Sequence, residues 1–185
     1  PIVRDYLFLL LLTGLREREG MKLKWADVDM NAKTLTIRSE IAKNHQEHTL
    51  PMSPYLYKLF NQRLALKENE WVFPGYKEGQ PIAKVRRAIE HVTKETGIEW
   101  SLHDLRRTFS TFAEQEVSYA VLKRLLNHSQ ASDVTAGYLV ISTEQLRDPM
   151  NRVTNRILAA IKGRKSKSGE KKDNVLQFGG RKVRA

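Results

Sequence analysis

The sequence predicts an α+β domain that is mainly α-helical, with a small antiparallel β-sheet near residues 33–53 packed against helices. Apolar residues recur at helical spacing along most of the chain, whereas short strand-like stretches lie close together in that one segment. With 185 residues, the chain is long enough to bury the core of one domain. We therefore expect a compact domain over residues 1–162, followed by a basic tail over residues 163–185.

The first third of the chain carries the signals for two helices and the sheet. "PIVRDYLFLLLLTG" predicts a buried helix that ends at Gly14, and "REREGMKL" predicts a short second helix. "TLTI" and "HTLPM" are short strand-like stretches, and the polar segment between them favours a hairpin.

Two helices with clear start and stop signals follow the hairpin. "SPYLYKLFNQRLALKEN" begins at a Ser-Pro pair that is typical of helix starts. After a Gly/Pro loop, "IAKVRRAIEHVTKETG" predicts a helix that ends at Gly97. Beyond that glycine the chain is expected to be almost entirely helical. Ser101 and Asp104 have the spacing of a capping box, which opens a helix through about Glu114.

Three more helices are expected toward the C-terminus. "SYAVLKRLLNH" starts at Ser118 as its N-cap, and "SDVTAGYLV" predicts a shorter helix. Asp148 is expected to open the last helix, with Pro149 at the first helical position, and Gly163 is expected to end it. It carries an apolar stripe that must pack on this domain or on a neighbouring copy, formed by Met150, Val153, Ile157 and Ile161.

The charge balance indicates an anionic partner. The chain has 32 Lys and Arg against 21 Asp and Glu, a net charge of +11, which favours nucleic acid or an acidic membrane surface. Residues 162–185 contribute +7 of that charge, so the alternative is that the basic tail alone sets the balance. The longest apolar run, residues 6–12, is far shorter than the ~20 residues that span a bilayer. We therefore expect this run to form a buried helix and not a membrane span, and the motifs described below lead us to expect no membrane partner.

The absence of cysteine excludes one group of chemistries. Disulfides, zinc–thiolate sites and thiol nucleophiles all require cysteine, and the chain has none. A reducing cytoplasmic setting is compatible with this composition.

The stretch "SLHDLRRTFST" is the first candidate for chemistry. In a helix, His103 and Arg106 lie one turn apart on the same face, where their donors can converge on one oxyanion. Arginine presents a planar fork of donors suited to phosphate, and histidine exchanges a proton near neutral pH. The alternative is a solvated charged face, which is the interpretation we give to the adjacent Arg107.

Two flanking segments carry residues of matching chemistry. "LLTGLRERE" places Arg16 just after a glycine turn, and "LLNHSQASDVTAGYL" places His128 at a helix end with Tyr138 ten residues later. A tyrosine hydroxyl has a pKa near 10, so it needs nearby cations to act as a nucleophile at neutral pH. Tyr119, near another helix start, is the alternative nucleophile. His48 opens the second strand, and no chemical role is assigned to it.

Taken together, "TGLRERE", "HDLRRTFST", "LLNHS" and "VTAGYL" resemble the catalytic domain of the tyrosine recombinases, the phage integrase family. The resemblance runs from about residue 4 to residue 140. The family also carries a lysine in a β-hairpin turn, for which "IAKNHQEHTLPMS" offers Lys43. Two departures are that Asn127 stands where a glycine often precedes the histidine, and that the step from His128 to Tyr138 is one residue longer than usual.

The resemblance implies a phosphate clamp and a nucleophile. Arg16 and Arg106 would hold the non-bridging oxygens of the scissile phosphate and stabilise charge in the transition state. Tyr138 would attack phosphorus and form a 3′-phosphotyrosyl link. In this family the arginines supply the charge stabilisation that metal ions supply elsewhere, so we expect no metal and no cofactor.

The resemblance also assigns the proton-transfer groups. Lys43 would protonate the leaving 5′ oxygen, and His103 would act as the acid–base partner of the tyrosine. His128 would contact the phosphate or position the nucleophile, while Glu19 would support the site without reacting.

The function implied is a site-specific DNA recombinase of a prophage or mobile element, acting in the bacterial cytoplasm on the nucleoid. Exchange between two duplexes uses four active sites, so we expect a homotetramer on double-stranded DNA, assembled through the C-terminal segment, with accessory DNA-bending or directionality proteins as further candidate partners. Because the chain begins at Pro1, we expect a fragment of a longer protein, and we expect the family's N-terminal DNA-binding domain to lie outside it. A type IB topoisomerase-like enzyme and a catalytically silent DNA-binding module are the alternatives.

Overall fold

The computed structural model describes residues 2–83, 85–128 and 141–167. It is 55% helical and contains a small three-stranded antiparallel sheet, which confirms the predicted fold class. The α-helices are α1 (Ile2–Thr13), α2 (Glu17–Met21), α3 (Pro54–Leu64), α4 (Arg86–Thr96), α5 (Leu102–Glu114), α6 (Tyr119–Leu125) and α7 (Arg147–Lys167). The strands are β1 (Val28–Asp29), β2 (Thr34–Ile37) and β3 (His48–Pro51). Single 3₁₀ turns span Trp25–Asp27 and Glu144–Leu146.

Helix α1 forms the centre of the core and ends at Thr13, directly before Gly14, the glycine predicted to stop it. Leu9, Leu10 and Leu12 are fully buried, and α1 packs against α5. Gly14 has φ +66°, and a Cβ atom at this position would lie 2.5 Å from Cδ1 of Phe109 on α5. Only glycine therefore permits both this backbone conformation and this close approach of the two helices.

The sheet has the strand order β1-β2-β3 and is antiparallel throughout. In the hairpin, Leu35 pairs with Leu50 and Ile37 pairs with His48. Leu35 and Ile37 are fully buried, as the two-residue period of a strand requires when one face covers a core. The two predicted strands are confirmed. Strand β1, only two residues long, was not predicted because its pattern is too short to detect.

The predicted helix start at Ile82 is wrong for α4, which begins at Arg86. The backbone of Ile82 instead donates to the carbonyl of Phe73, and Pro81 forms a bridge with Pro74, so this segment stays extended. The end of α4 is as predicted, because Gly97 adopts φ +68° and donates to the carbonyl of Thr93 at 2.8 Å.

Helices α5 and α6 begin at their predicted caps. The Ser101 backbone donates to Oδ2 of Asp104 at 2.9 Å, as in the expected capping box, and α5 ends at Glu114. Ser118 Oγ accepts a hydrogen bond from the backbone of Val121 at 3.5 Å at the start of α6. The helix predicted over residues 132–140 lies outside the described residues.

Helix α7 packs on this chain through most of its apolar stripe. Met150, Val153 and Ile157 are buried, and α7 contacts α1 and α5, whereas Ile161 is 36% exposed. The prediction that Gly163 ends the helix is wrong, because α7 continues to Lys167. Glycine in a helix interior costs only about 1 kcal/mol relative to alanine, which does not stop a helix that is already formed.

A helix that spans a membrane must be both long and apolar. Within the described ranges, none of the helices combines the length and the apolar composition that a membrane span requires.

Candidate active site

Arg106 lies at the centre of the site. It is 7% exposed on α5, and its Nη1 donates to the carbonyl of Gly14 at the end of α1. Its Nη2 donates to the carbonyl of Leu126 at 2.8 Å and to Nε2 of His128 at 3.0 Å. These bonds use three of the five guanidinium N–H groups. Among the described residues the other two, at Nε and Nη1, have no protein partner and remain available to a ligand.

Arg16 is held in place by Glu19. The Arg16 backbone donates to Oε2 of Glu19 at 2.8 Å, and Nη1 of Arg16 donates to Oε1 at 3.0 Å. The Glu19 residue is only 2% exposed, while a quarter of the Arg16 side chain reaches solvent. Both oxygens of the Glu19 carboxylate are thus bonded to Arg16, which fixes the start of α2 and the direction of the arginine side chain.

The charged groups of the site come from separate segments of the chain and shift one another's pKa values. Burial, and then the positive charge of Arg16, lower the pKa of Arg106 to about 10, and Glu19 partly offsets this. Desolvation lowers the pKa of His128, and the charges of Arg106, Arg16 and Lys123 lower it further. The two arginines are therefore close enough to repel each other with one carboxylate to compensate them, so an anion bound here would be stabilised.

Lys43 lies in the connection between β2 and β3, as predicted, and its side chain is exposed. The backbone N–H of Lys43 points to Oε1 of Glu19 at 3.4 Å, which brings the lysine loop to the same carboxylate that holds Arg16. The next residue, Asn44, is hydrogen-bonded to Asn127, immediately before His128. The loop that carries Lys43 is thus hydrogen-bonded both to Glu19, which holds Arg16, and to Asn127, which precedes His128.

Asn127 explains one departure from the family pattern. Its φ is +49°, in the left-handed region that glycine adopts freely. Asparagine is among the few other residues that tolerate this conformation, so it can replace glycine before the histidine.

The remaining sequence-predicted residues are not brought into this cluster by any described contact. His103 is exposed at the start of α5, and no side-chain hydrogen bond to it occurs within the described part of the chain. Tyr138 lies outside the described residues. Arg107 is 71% exposed and forms an ion pair with Asp104 at 3.2 Å, consistent with a solvated face. Tyr119 is 67% exposed on α6.

Sequence reasoning missed the role of His48. It is 1% exposed, and its Nε2 contacts the carbonyl of Leu125 at 3.1 Å while Arg124 donates to its Nδ1. Burial, and then the charge of Arg124, lower the pKa of His48 to about 4, so the ring is neutral at physiological pH. It joins strand β3 to the last turn of α6 through Arg124 and Leu125. The only sequence signal was its position in a strand, because its partners lie 76 and 77 residues away.

A metal centre would need several donor side chains close together. Among the residues that the structure describes, no group of three or more His, Cys, Asp or Glu could hold a metal ion.

Comparison with known proteins identifies the class of protein that this fold and this cluster define. The model of the phage integrase family matches residues 3–145, which include every predicted site residue. The chain therefore belongs to the phage integrase family, and the resemblance noted in the sequence is confirmed.

Its relatives are recombinases and integrases. The chain is 33% identical over 140 residues to the prophage integrase IntF of Escherichia coli K12, which covers 71% of this chain and 29% of that protein. It is 28% identical over 159 residues to the tyrosine recombinase XerA of Pyrococcus furiosus, covering 81% of this chain and 54% of the relative. The chain thus spans about half, or less, of the curated relatives it matches.

Solved structures share the fold. The integrase of mycobacterium phage Brujita superposes with a TM-score of 0.63 at 22% identity, covering 86% of this chain and 56% of that one. The Tn1549 transposon integrase, solved in complex with transposon right end DNA, superposes with a TM-score of 0.59 at 19% identity, covering 82% of this chain and 58% of that one.

Proposed function

We propose that this chain is the catalytic part of a site-specific DNA recombinase that cleaves and rejoins strands through a 3′-phosphotyrosyl intermediate. The observation that carries the proposal is the position of Arg106. It is buried, anchored by two backbone carbonyls and His128, electrostatically coupled to Arg16, and left with two unused N–H donors among the described contacts. A preorganised pair of arginines of this kind suits a phosphodiester whose charge increases in the transition state.

In the proposed reaction, the phenolic oxygen of Tyr138 attacks phosphorus, and a P–O bond to tyrosine forms as the P–O5′ bond breaks. The electron pair of the broken bond goes to O5′, which takes a proton from the ammonium of Lys43. His103 accepts the phenolic proton of the tyrosine. Rejoining reverses these steps with the 5′ hydroxyl of the partner strand, so the phosphodiester energy is conserved.

His128 contributes a fixed acceptor in this scheme. Because Arg106 donates to Nε2, the neutral ring carries its proton on Nδ1, where it can be donated to the phosphate or to the tyrosine oxygen. The lowered pKa of His128 keeps the ring in this neutral form at physiological pH.

The partners proposed are double-stranded DNA and three further copies of the protein. The related Tn1549 integrase was solved with DNA, and exchange between two duplexes uses four active sites. Met150, Val153 and Ile157 are already covered by this chain. We therefore assign the contact between copies to the segment from Ile161 onward. The basic tail would add phosphate contacts, and accessory DNA-bending or directionality proteins would act on the complete assembly in the cytoplasm.

The proposal is tested with a suicide substrate, a duplex nicked near the cleavage site so that the released fragment cannot religate. The protein is used as encoded, with any residues that precede Pro1, on the ends of its own element. We expect a covalent protein–DNA adduct that Tyr138→Phe abolishes. No adduct from the wild-type protein would contradict enzyme chemistry and favour a silent DNA-binding module. Relaxation of supercoiled plasmid without exchange between two sites would favour the topoisomerase alternative.

A further inference from the structure

Asn44 and Asn127 form a reciprocal pair of side-chain amides, called here the amide clasp. Nδ2 of Asn44 donates to Oδ1 of Asn127 at 3.1 Å and to its backbone carbonyl at 3.2 Å. In return, Nδ2 of Asn127 donates to Oδ1 of Asn44 at 3.1 Å and to the carbonyl of Gln46 at 3.3 Å. Both side chains thus act as donor and acceptor, and they join segments 83 residues apart.

The clasp is more than a surface contact. Oδ1 of Asn44 also accepts from the backbone of Gln46 at 3.3 Å, so one amide organises its own loop while it binds the other segment. Asn127 meets it from a left-handed backbone with φ +49°. Glycine would allow the same backbone conformation but has no side chain to form the clasp. Asparagine therefore adds an interaction at a position where glycine would satisfy the backbone.

Each amide is adjacent in sequence to a proposed catalytic residue. Asn44 follows Lys43, and Asn127 precedes His128, whose ring accepts a hydrogen bond from Arg106 at 3.0 Å. On its other side, Lys43 is held through its backbone N–H by Glu19. The loop of the exposed lysine is therefore held at two places. Glu19 connects it to Arg16, and Asn127, which precedes His128, connects it to the segment that binds Arg106.

We propose that Asn44 and Asn127 are positioning residues that hold the ammonium of Lys43 at the leaving 5′ oxygen. The proposal rests on the proposed function and adds to it the element that aims the general acid. A lysine on a loop has four rotatable side-chain bonds, and fixing its backbone raises the fraction of conformations that reach the oxygen. Without the clasp, protonation of O5′ should slow while phosphate binding and attack by tyrosine are retained.

The test compares two cleavage substrates. One carries the natural oxygen at the 5′ bridging position, and the other carries sulfur there. A thiol is a far stronger acid than an alcohol, so the sulfur leaves as a thiolate and needs no proton from the enzyme. Single-turnover cleavage rates are measured for the encoded protein, Asn44→Ala, Asn127→Gly and the double variant, with Lys43→Ala as the reference. Gln46→Ala is the matched control, because it shortens an exposed side chain of the same loop and keeps the backbone contacts.

We expect Lys43→Ala to slow cleavage of the oxygen substrate about 100-fold and the sulfur substrate only a few-fold. Asn44→Ala and Asn127→Gly should each slow the oxygen substrate about tenfold, the sulfur substrate less than about twofold, and the double variant should be no slower than either one. Gln46→Ala should match the wild type on both substrates.

The proposal is overturned if the clasp variants slow both substrates equally, if they slow neither, or if sulfur does not rescue Lys43→Ala. Thermal unfolding of each variant identifies a loss of folding. If Asn44→Ala does not fold, Asn127→Gly removes the same interaction and provides the test instead. Failure of the proposed function is distinguishable, because the wild-type protein would then form no adduct with either substrate.

Discussion

Arg106 and His128, 22 residues apart in the sequence, are joined by a hydrogen bond of 3.0 Å from Nη2 of the arginine to Nε2 of the histidine. The same guanidinium is bonded to the carbonyls of Gly14 and Leu126. One buried side chain therefore links the ends of α1 and α6 and also sets the tautomer of the histidine. Loss of this side chain should therefore affect both the stability of the fold and the proposed strand cleavage.

Arg106 and its neighbour Arg107 are predicted to behave differently. Arg106→Ala should reduce strand cleavage by a factor of about 100 to 1,000, because it removes a preorganised donor to the phosphate. It should also destabilise the fold by about 1–3 kcal/mol, because two buried carbonyls lose their partner. Arg107→Ala removes only an exposed ion pair and should leave both quantities nearly unchanged. Adduct formation and urea denaturation measure the two effects, and equal losses for the two variants would contradict the assignment.

Gly14 is predicted to be essential for packing as well as for backbone conformation. Gly14→Ala should destabilise the protein by about 2 kcal/mol more than Gly97→Ala, because its Cβ would meet Phe109 at 2.5 Å. Gly97 is the matched control. It also follows a helix with φ +68°, but no heavy atom lies within 4 Å of its added Cβ, so only the backbone strain remains. Urea denaturation of both variants checks this, and equal losses would show that the contact with Phe109 is easily relieved.

Because His48 is buried in its neutral form, we expect the free energy of unfolding to fall in mild acid. The pKa of His48 is about 4 in the folded protein and 6.5 in the unfolded chain, so between these values the unfolded state binds more protons. The contribution of neutral His48 to the free energy of unfolding is fully present above pH 6.5. About 3 kcal/mol of it is lost as the pH falls to 4. His48→Gln should be less stable at pH 7 but should show a shallower slope between pH 6.5 and 4. Urea denaturation over this range is the measurement, and identical slopes would assign the acid sensitivity to other groups.

The basic tail is predicted to act through salt-dependent phosphate contacts. Ending the chain after Lys167 removes Lys171, Lys172, Arg181, Lys182 and Arg184 and keeps the whole of α7. The slope of log affinity against log salt should become shallower by about 0.9 for each phosphate that the shortened chain no longer neutralises. Fluorescence anisotropy with a labelled duplex at several salt concentrations measures the slope. An unchanged slope would show that the tail does not bind DNA.

The parts of the fold that the sequence predicted are those with local signals. The end of α1 at Gly14, the capping box at Ser101 and the N-cap at Ser118 each depend on residues within one turn. The start of α4 and the end of α7 were predicted incorrectly, because a backbone bridge to Phe73 competes with the helix in one case and Gly163 is tolerated in the other.

The candidate site was predictable to a different extent. Motif order pointed to Arg16, Arg106 and His128, and the structure brings these three together. The contacts of His48 and the amide clasp were not predictable, because each joins segments more than 75 residues apart by hydrogen bonds that leave no periodic pattern. The roles of His103 and Tyr138 stay predictions.

We expect Tyr138 to become covalently bonded to DNA at a phosphate held by Arg16 and Arg106. The most direct measurement is mass spectrometry of the adduct after nuclease and protease digestion, which locates the residue that carries the 3′-phosphonucleotide. We predict the modification on the peptide containing Tyr138, and at least about 100-fold less of the modified peptide from Arg106→Ala. A nucleotide attached to Tyr119 or to any other residue, or an undiminished adduct in Arg106→Ala, would contradict it.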